Sequence, residues 1–173
     1  MLGSCVSETF GADVWQRALQ AARSDGVYAT HQRYNDAQFD ALVAAVAGDR
    51  GITVTAAQRW FGEAAIPHFY RMAPQFFDPH QDSWSFLLTL NDIIHPQVRT
   101  QYPGAHAPDF DFSVDEAGAL VIGYHSLRRM CAFAEGLIVA SMRHYGETPA
   151  LDHTRCMHRD DPYCEFVLSA PAG

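Results

Sequence analysis

The chain has 173 residues and no apolar run of about eighteen, the length that would read as a transmembrane helix. No basic stretch followed by an apolar core opens it, so no secretion signal is legible and a cytoplasmic setting is expected. Charged residues make up only 18%, and the net charge of -8 argues against nucleic acid or an anionic membrane as partner. A Gly-rich phosphate loop, a nucleophile elbow and a paired-carboxylate motif are all missing, which removes the usual sequence support for catalysis. With no internal repeat, low-complexity tract or linker, a single domain over residues 1–173 is expected. What is abundant is apolar: a hydrophobic share of 48% in a chain of this size suits a well-buried globule.

Hydrophobic spacing predicts helices first and strands last. One helix is expected over about 5–23, with Val6, Phe10, Val14, Leu19 and Ala22 on one side and Gly26 ending it. A second covers Asp36 to Ala47 on a face of Phe39, Leu42, Val43 and Val46. A third runs from a capping Thr55 to Phe61, and a further one over Ile66 to Met72. The stripe from Trp84 to His95 predicts a helix capped by Asp82 or Ser83. Tyr102-Pro103-Gly104 is a turn signal. Phe110 to Val114 and Ala119 to Tyr124 read as paired strands around Asp115 to Gly118. Leu127 to Tyr145 is expected to be the longest helix, ended by Gly146. A hairpin of Leu151 to His158 and Tyr163 to Ser169 closes the chain. The class is therefore α+β, with a helical lobe over about 1–62 and a lobe of antiparallel strands plus helices over about 63–173.

Three groups of residues carry chemistry. In Tyr124-His125-Ser126-Leu127-Arg128, strand alternation would put Tyr124, Ser126 and Arg128 on one side, a trap for a carboxylate or phosphate, although the triplet also fits a solvated strand face. His95 lies beside its helical stripe, where a lone histidine is more often a hydrogen-bonded boundary residue than a ligand. Pro96 is expected to kink or end that helix. The set Cys131…His153-x-x-Cys156-x7-Cys164 suits tetrahedral zinc, with buried free thiols or a Cys156–Cys164 disulfide as alternatives, the latter disfavoured in a cytoplasm. His153 would face away from Cys156 in a regular strand, so a bulge or bend is required. Cys5 falls outside the set as an ordinary helix residue. His31, His68, His80, His106, His125, His144 and His158 read as surface or boundary residues. On a continuing helix Arg129 points away from Arg128, and Glu135 caps or pairs without a catalytic role.

His95, twelve residues, Pro108, then Tyr124-x-Ser126-x-Arg128: in this order and spacing the chain resembles the haem nitric-oxide/oxygen-binding (H-NOX) domains, relatives of the soluble guanylate cyclase sensor domain. The likeness runs over nearly the whole chain, including Phe10-Gly11-Ala-Asp-Val-Trp15 and Trp60-Phe61-Gly62. It implies haem b between the lobes, with His95 as axial iron ligand, Pro108 distorting the porphyrin, and Tyr124, Ser126 and Arg128 on the propionates. It also implies a distal pocket of Phe133, Ala65 and Leu137. Phe133 stands where oxygen-binding relatives carry a distal Tyr, and Ala65 where they carry a supporting Asn. Neither donates a hydrogen bond, so nitric oxide is the expected ligand and carbon monoxide an incidental one. Nitric oxide weakens the bond trans to it, so the family implies release of His95, relaxation off Pro108, and a changed surface offered to a histidine kinase or cyclic-dinucleotide signalling protein. A bacterial subgroup carries zinc on the Cys131, His153, Cys156, Cys164 pattern. Against the family, this chain begins about one strand late, Met1-Leu2 falling where the first helix is under way. Two other readings compete: a haem-free zinc/thiol redox-sensing or ligand-binding module, and, ranked last, a haem peroxidase. The peroxidase needs distal acid–base groups, and Phe133 and Ala65 are neither; no enzyme is expected.

Overall fold

The computed structural model describes residues 1–26, 36–101 and 107–169; His31, His106 and the Tyr102-Pro103-Gly104 turn lie outside them. Gly11 makes the first correction. Where spacing predicts one helix over 5–23, the chain forms two, α1 (Leu2–Phe10) and α2 (Ala12–Ala21). Gly11 adopts φ 99° between them, a conformation that costs glycine little and L side chains much. The break lets Val6, Val14 and Ala18 close on Val46 of α3 (Asp36–Arg50) in one buried cluster. Arg17 also forks onto Asp49 at 2.5 and 3.2 Å, but this pair is solvent-exposed and contributes little.

Residues 55–61 and 66–72, expected as separate helices, are parts of one, α4 (Val54–Met72). Thr53, not Thr55, is its cap: the Thr53 hydroxyl accepts from the Ala56 amide at 3.0 Å. Pro67 lies inside α4, and the burial of Phe61, Ala65 and Ile66 along the same helix outweighs the loss of one backbone hydrogen bond. At 19 residues α4, not the C-terminal helix, is the longest among the described residues, and it runs through residue 62. The C-terminal helix, α7 (Cys131–His144), has 14 residues and begins four later than expected, because residues 126–130 form a turn with Arg129 at φ 50°.

The histidine-bearing stripe is not a single helix either. α5 (Ser83–Leu87) is capped by Asp82, whose Oδ1 accepts from the Ser85 amide at 2.7 Å. A π turn follows over Leu90–Ile94, then α6 (His95–Gln101). The Ile94 amide reaches back five residues to the Thr89 carbonyl (3.1 Å), as does that of His95 to Leu90. Pro96 therefore sits in the first turn of α6 rather than ending a helix. Its missing N–H is tolerated there, and the wider winding before it relieves the clash a proline ring makes with the carbonyl four residues back.

Strands β1 (Asp109–Val114), β2 (Leu120–His125), β3 (Leu151–Arg155) and β4 (Cys164–Leu168) form an antiparallel sheet in the order β1-β2-β4-β3. Leu120, Ile122, Phe166 and Leu168 are buried with Ala134, Ile138 and Met142 of α7, which lays the sheet on that helix. α7 in turn packs on α4 at two glycines. A Cβ on Gly62 would fall on the Phe133 carbonyl oxygen, and one on Gly136 on the Arg59 carbonyl oxygen. The class is α+β, as the sequence implies. No helix among the described residues is long and apolar enough to cross a membrane.

Candidate functional site

A cavity of about 420 Å³ opens between the N-terminal helices and the start of α7. Phe39, Leu42, Phe61, Phe69, Met130 and Phe133 give it apolar walls, with Asp36, Gln38 and Arg128 at polar points. This size lies within the roughly 300–1,000 Å³ of small-molecule pockets. Gly62 and Gly136 set the wall: with no Cβ between them, α4 brings Phe61 against Phe133, rings stacked at 5.0 Å. Phe133 and Leu137 pack on Ala65, itself fully buried. The three distal positions therefore share one apolar cluster, of which Phe133 reaches the cavity lining.

Strand alternation does not carry Tyr124, Ser126 and Arg128 to one place, because β2 ends at His125. The turn does part of that work. Tyr124 is buried, its ring against Phe110 and Phe166 at 5.7 and 6.3 Å. Burial pushes its phenol up, with Ser126 and the Met130 backbone opposing. The Ser126 hydroxyl accepts from the Arg128 amide at 3.3 Å, and only Arg128 lines the cavity. Arg128 is held by Asp36 at 2.9 Å and lies 5.6 Å from the Phe39 ring centroid. Sequence reasoning missed that partner; an acidic residue opening a helix is too common to signal one. Leu127 is fully exposed, as the tip of a turn should be. Arg129 is in the turn, not on a helix, and donates to the Met157 carbonyl. His125 pairs with Asp111 at 2.7 Å, apart from the cavity.

His95 and Pro108 do not line this cavity. The His95 ring packs on Phe110 at 5.7 Å, and its Nδ1 is buried with no hydrogen-bond partner. Burial holds its pKa below the ordinary imidazole value, and Arg99 pushes the same way against the Pro108 backbone and Asp109. That direction favours the neutral ring, the form that binds a metal. A buried polar atom without a partner costs about 1–3 kcal/mol, so an axial bond to haem iron fits the atom left over.

The second constellation is formed in full. The ligand atoms of Cys131, His153, Cys156 and Cys164 lie within 4.8 Å of one another. The four chain segments meet because β4 pairs beside β2, setting Cys164 opposite Tyr124, while Cys131 opens α7. The required irregularity is present as a register shift between His153 and Arg155. Cys131 and Cys156 sulfurs stand 3.7 Å apart, close to the ~3.8 Å that tetrahedral zinc–thiolate bonds impose and far beyond a disulfide. All four cysteines are free. Burial and the neighbouring thiols push Cys131 up, and burial does the same to Cys164, a penalty that a bound cation would reverse by taking thiolates. His153 Nε2 is buried without a partner while its Nδ1 faces Glu135 at 3.6 Å. Glu135, held also by Arg59 at 2.8 Å, orients the imidazole as carboxylates do behind metal-binding histidines. Cys5 is buried apart, its sulfur 3.6 Å from the Ala64 carbonyl.

The fold is similar to an H-NOX protein from Shewanella oneidensis in the Fe(II)NO ligation state, with a TM-score of 0.90 and 23% identity over 99% of this chain and 96% of that one. It is similar also to the Fe(II) unliganded H-NOX protein from K. algicida (TM-score 0.83, 19% identity, 99% and 94% covered). An oxygen-binding H-NOX domain related to soluble guanylate cyclases matches with a TM-score of 0.79 and 21% identity, over 98% of this chain and 92% of that one. No functionally curated protein matches the chain. The family model described as Haem-NO-binding matches residues 1–153. The chain therefore belongs to the haem-NO-binding (H-NOX) family, whose members are haem-based gas sensors rather than enzymes.

Proposed function

We propose that this chain is a cytoplasmic nitric oxide sensor that holds ferrous haem b and signals to a separate histidine kinase or cyclic-dinucleotide enzyme. The observation that carries the reading is His95, whose Nδ1 is buried without a hydrogen-bond partner and whose pKa burial holds down. Haem, when bound, would supply an iron able to bond His95 and a gas. His95 would be the axial ligand, Pro108 would press on the porphyrin, and Tyr124, Ser126 and Arg128 would hold the propionates. For Arg128 this means exchanging Asp36 for a second carboxylate, a substitution of like for like. The distal residues favour nitric oxide: Phe133, Ala65 and Leu137 bring no donor to bound dioxygen. Gln38 is engaged with Ser24 at 3.0 Å, and Arg128 with Asp36.

Ferrous, haem-loaded protein should show no stable oxygen complex in air and a changed absorbance spectrum on nitric oxide. A persistent oxygen complex would contradict the distal assignment. Phe133→Tyr should create one, by placing a phenol where Phe133 now lines the cavity. An oxygen affinity unchanged by that substitution would move the distal site elsewhere.

The cysteine cluster supports a structural zinc ion on Cys131, His153, Cys156 and Cys164. One zinc per chain is expected. Chelation should lower unfolding stability by at least about 3 kcal/mol, modest beside the roughly 10–16 kcal/mol of zinc-finger peptides, because a packed sheet remains. Cys131→Ser should remove the effect of the chelator; metal analysis and urea unfolding decide. The same cluster is what favours the second reading, a haem-free zinc/thiol sensor, which predicts a purified protein with zinc and no absorbance from haem.

A further inference from the structure

One side chain ties the helix turn before His95 to the sheet. Asn91 Nδ2 donates to the Phe110 carbonyl at 2.6 Å, and its Oδ1 accepts from the Phe110 amide at 3.2 Å. β1 is an edge strand, so the Phe110 backbone groups facing away from β2 need another partner. The Asn91 amide, one donor and one acceptor, does for that residue what a further strand would do. It sits in the π turn, four residues before His95 and off the pattern of the apolar stripe. Phe110 is the ring that meets both His95 and Tyr124, each at 5.7 Å, and Pro108 lies two residues before it. A second polar tie, Arg99 to Asp109 at 3.2 Å, is exposed and contributes little. The imidazole, at the start of α6, and the proline, just ahead of β1, therefore share this part-buried fastening.

We propose that Asn91 is a positioning residue for His95, tying the π turn to β1 so that the imidazole stays where it bonds iron; this rests on the haem reading above. A ligand already held in place loses less freedom on bonding, so the tie lowers the cost of the bond. π turns are uncommon in helices and gather at functional sites, since one residue of rewinding shifts everything after them. Without the tie, that rewinding is opposed by apolar packing of Leu90, Ile94 and the His95 ring but by no part-buried polar bond to Phe110, and the released state of His95 gains population.

Asn91→Leu keeps the size and removes both hydrogen bonds; Asn91→Asp keeps the acceptor and loses the donor. Thr53→Ala, which removes the cap of α4, serves as a comparably destabilised control outside the site. Three quantities are read: exchange of the Phe110 amide in haem-free protein, haem transfer from the ferrous form to apomyoglobin, and the five-coordinate share of the nitric oxide complex. For Leu we expect faster amide exchange, about tenfold faster haem loss and a larger five-coordinate share, with Asp between and Thr53→Ala unchanged in coordination. Faster exchange at Phe110 with haem loss and coordination unaltered would overturn the proposal, as would Leu and Asp variants that both fail to fold. A wild-type protein that takes up no haem would defeat the haem reading itself, whatever the variants do at Phe110.

Discussion

His95→Gly protein should emerge with little haem or an altered spectrum, and added free imidazole should restore it. Loss of a partner that merely orients a metal ligand costs about 10–100-fold in affinity, so loss of the axial ligand should speed haem dissociation at least as much. Glycine leaves a space of imidazole shape beside Phe110, and the orphaned Nδ1 disappears with the side chain. The haem-free fold should survive. His95 opens α6, and glycine in a helix costs only about 1 kcal/mol relative to alanine, less in the first turn. Matched circular dichroism with lost pigment would thus separate ligation from folding. Pigment that ignores the substitution would place the axial ligand elsewhere and remove the main support for the sensor.

Gly62→Ala and Gly136→Ala should each destabilise the protein by about 3 kcal/mol or more, the upper end of overpacking costs. Alanine improves helix propensity by about 1 kcal/mol, so a bare helix would predict the opposite sign. The contact decides: each added methyl meets a backbone carbonyl of the facing helix, which cannot swing aside as a side chain can. α4 and α7 must then part, and Phe133 and Leu137 move with α7 away from Phe61 and Ala65. Urea midpoints read the stability, and gas affinities of the same variants read the distal wall. Either glycine tolerating alanine without loss would mean that the crossing is looser than the structure shows.

Residue spacing carried far at the strands and the cysteines. The β1–β2 pair, the closing hairpin and the need for a bulge at His153 were all legible, because alternation and turn residues are local properties. Helix boundaries were less so. Gly11 splits what periodicity joins, since apolar spacing continues across a break that only the backbone angle reveals. The π turn hides in the same way: Leu90 to Ile94 read as one more turn of helix until Pro96 is placed in the first turn of α6. Asn91 carries no signal of its role in the sequence, because its partner is a backbone amide and carbonyl, groups that every residue has. Asp36 on Arg128 was equally silent, being an ordinary charge on a helix, and for Glu135 a pairing was expected but not its partner His153.

By itself the order of residues determined the α+β class, the strand pairs and the identity of the chemically able groups, through periodicities and turns that act over a few positions. Only the packed molecule decided which of those groups meet. The helix crossing at two glycines, the turn that replaces a strand after His125, and the fastening of one helix to an edge strand all depend on surfaces distant in the chain. Such contacts leave no periodic trace, because packing selects them by shape and by the hydrogen bonds left unmade.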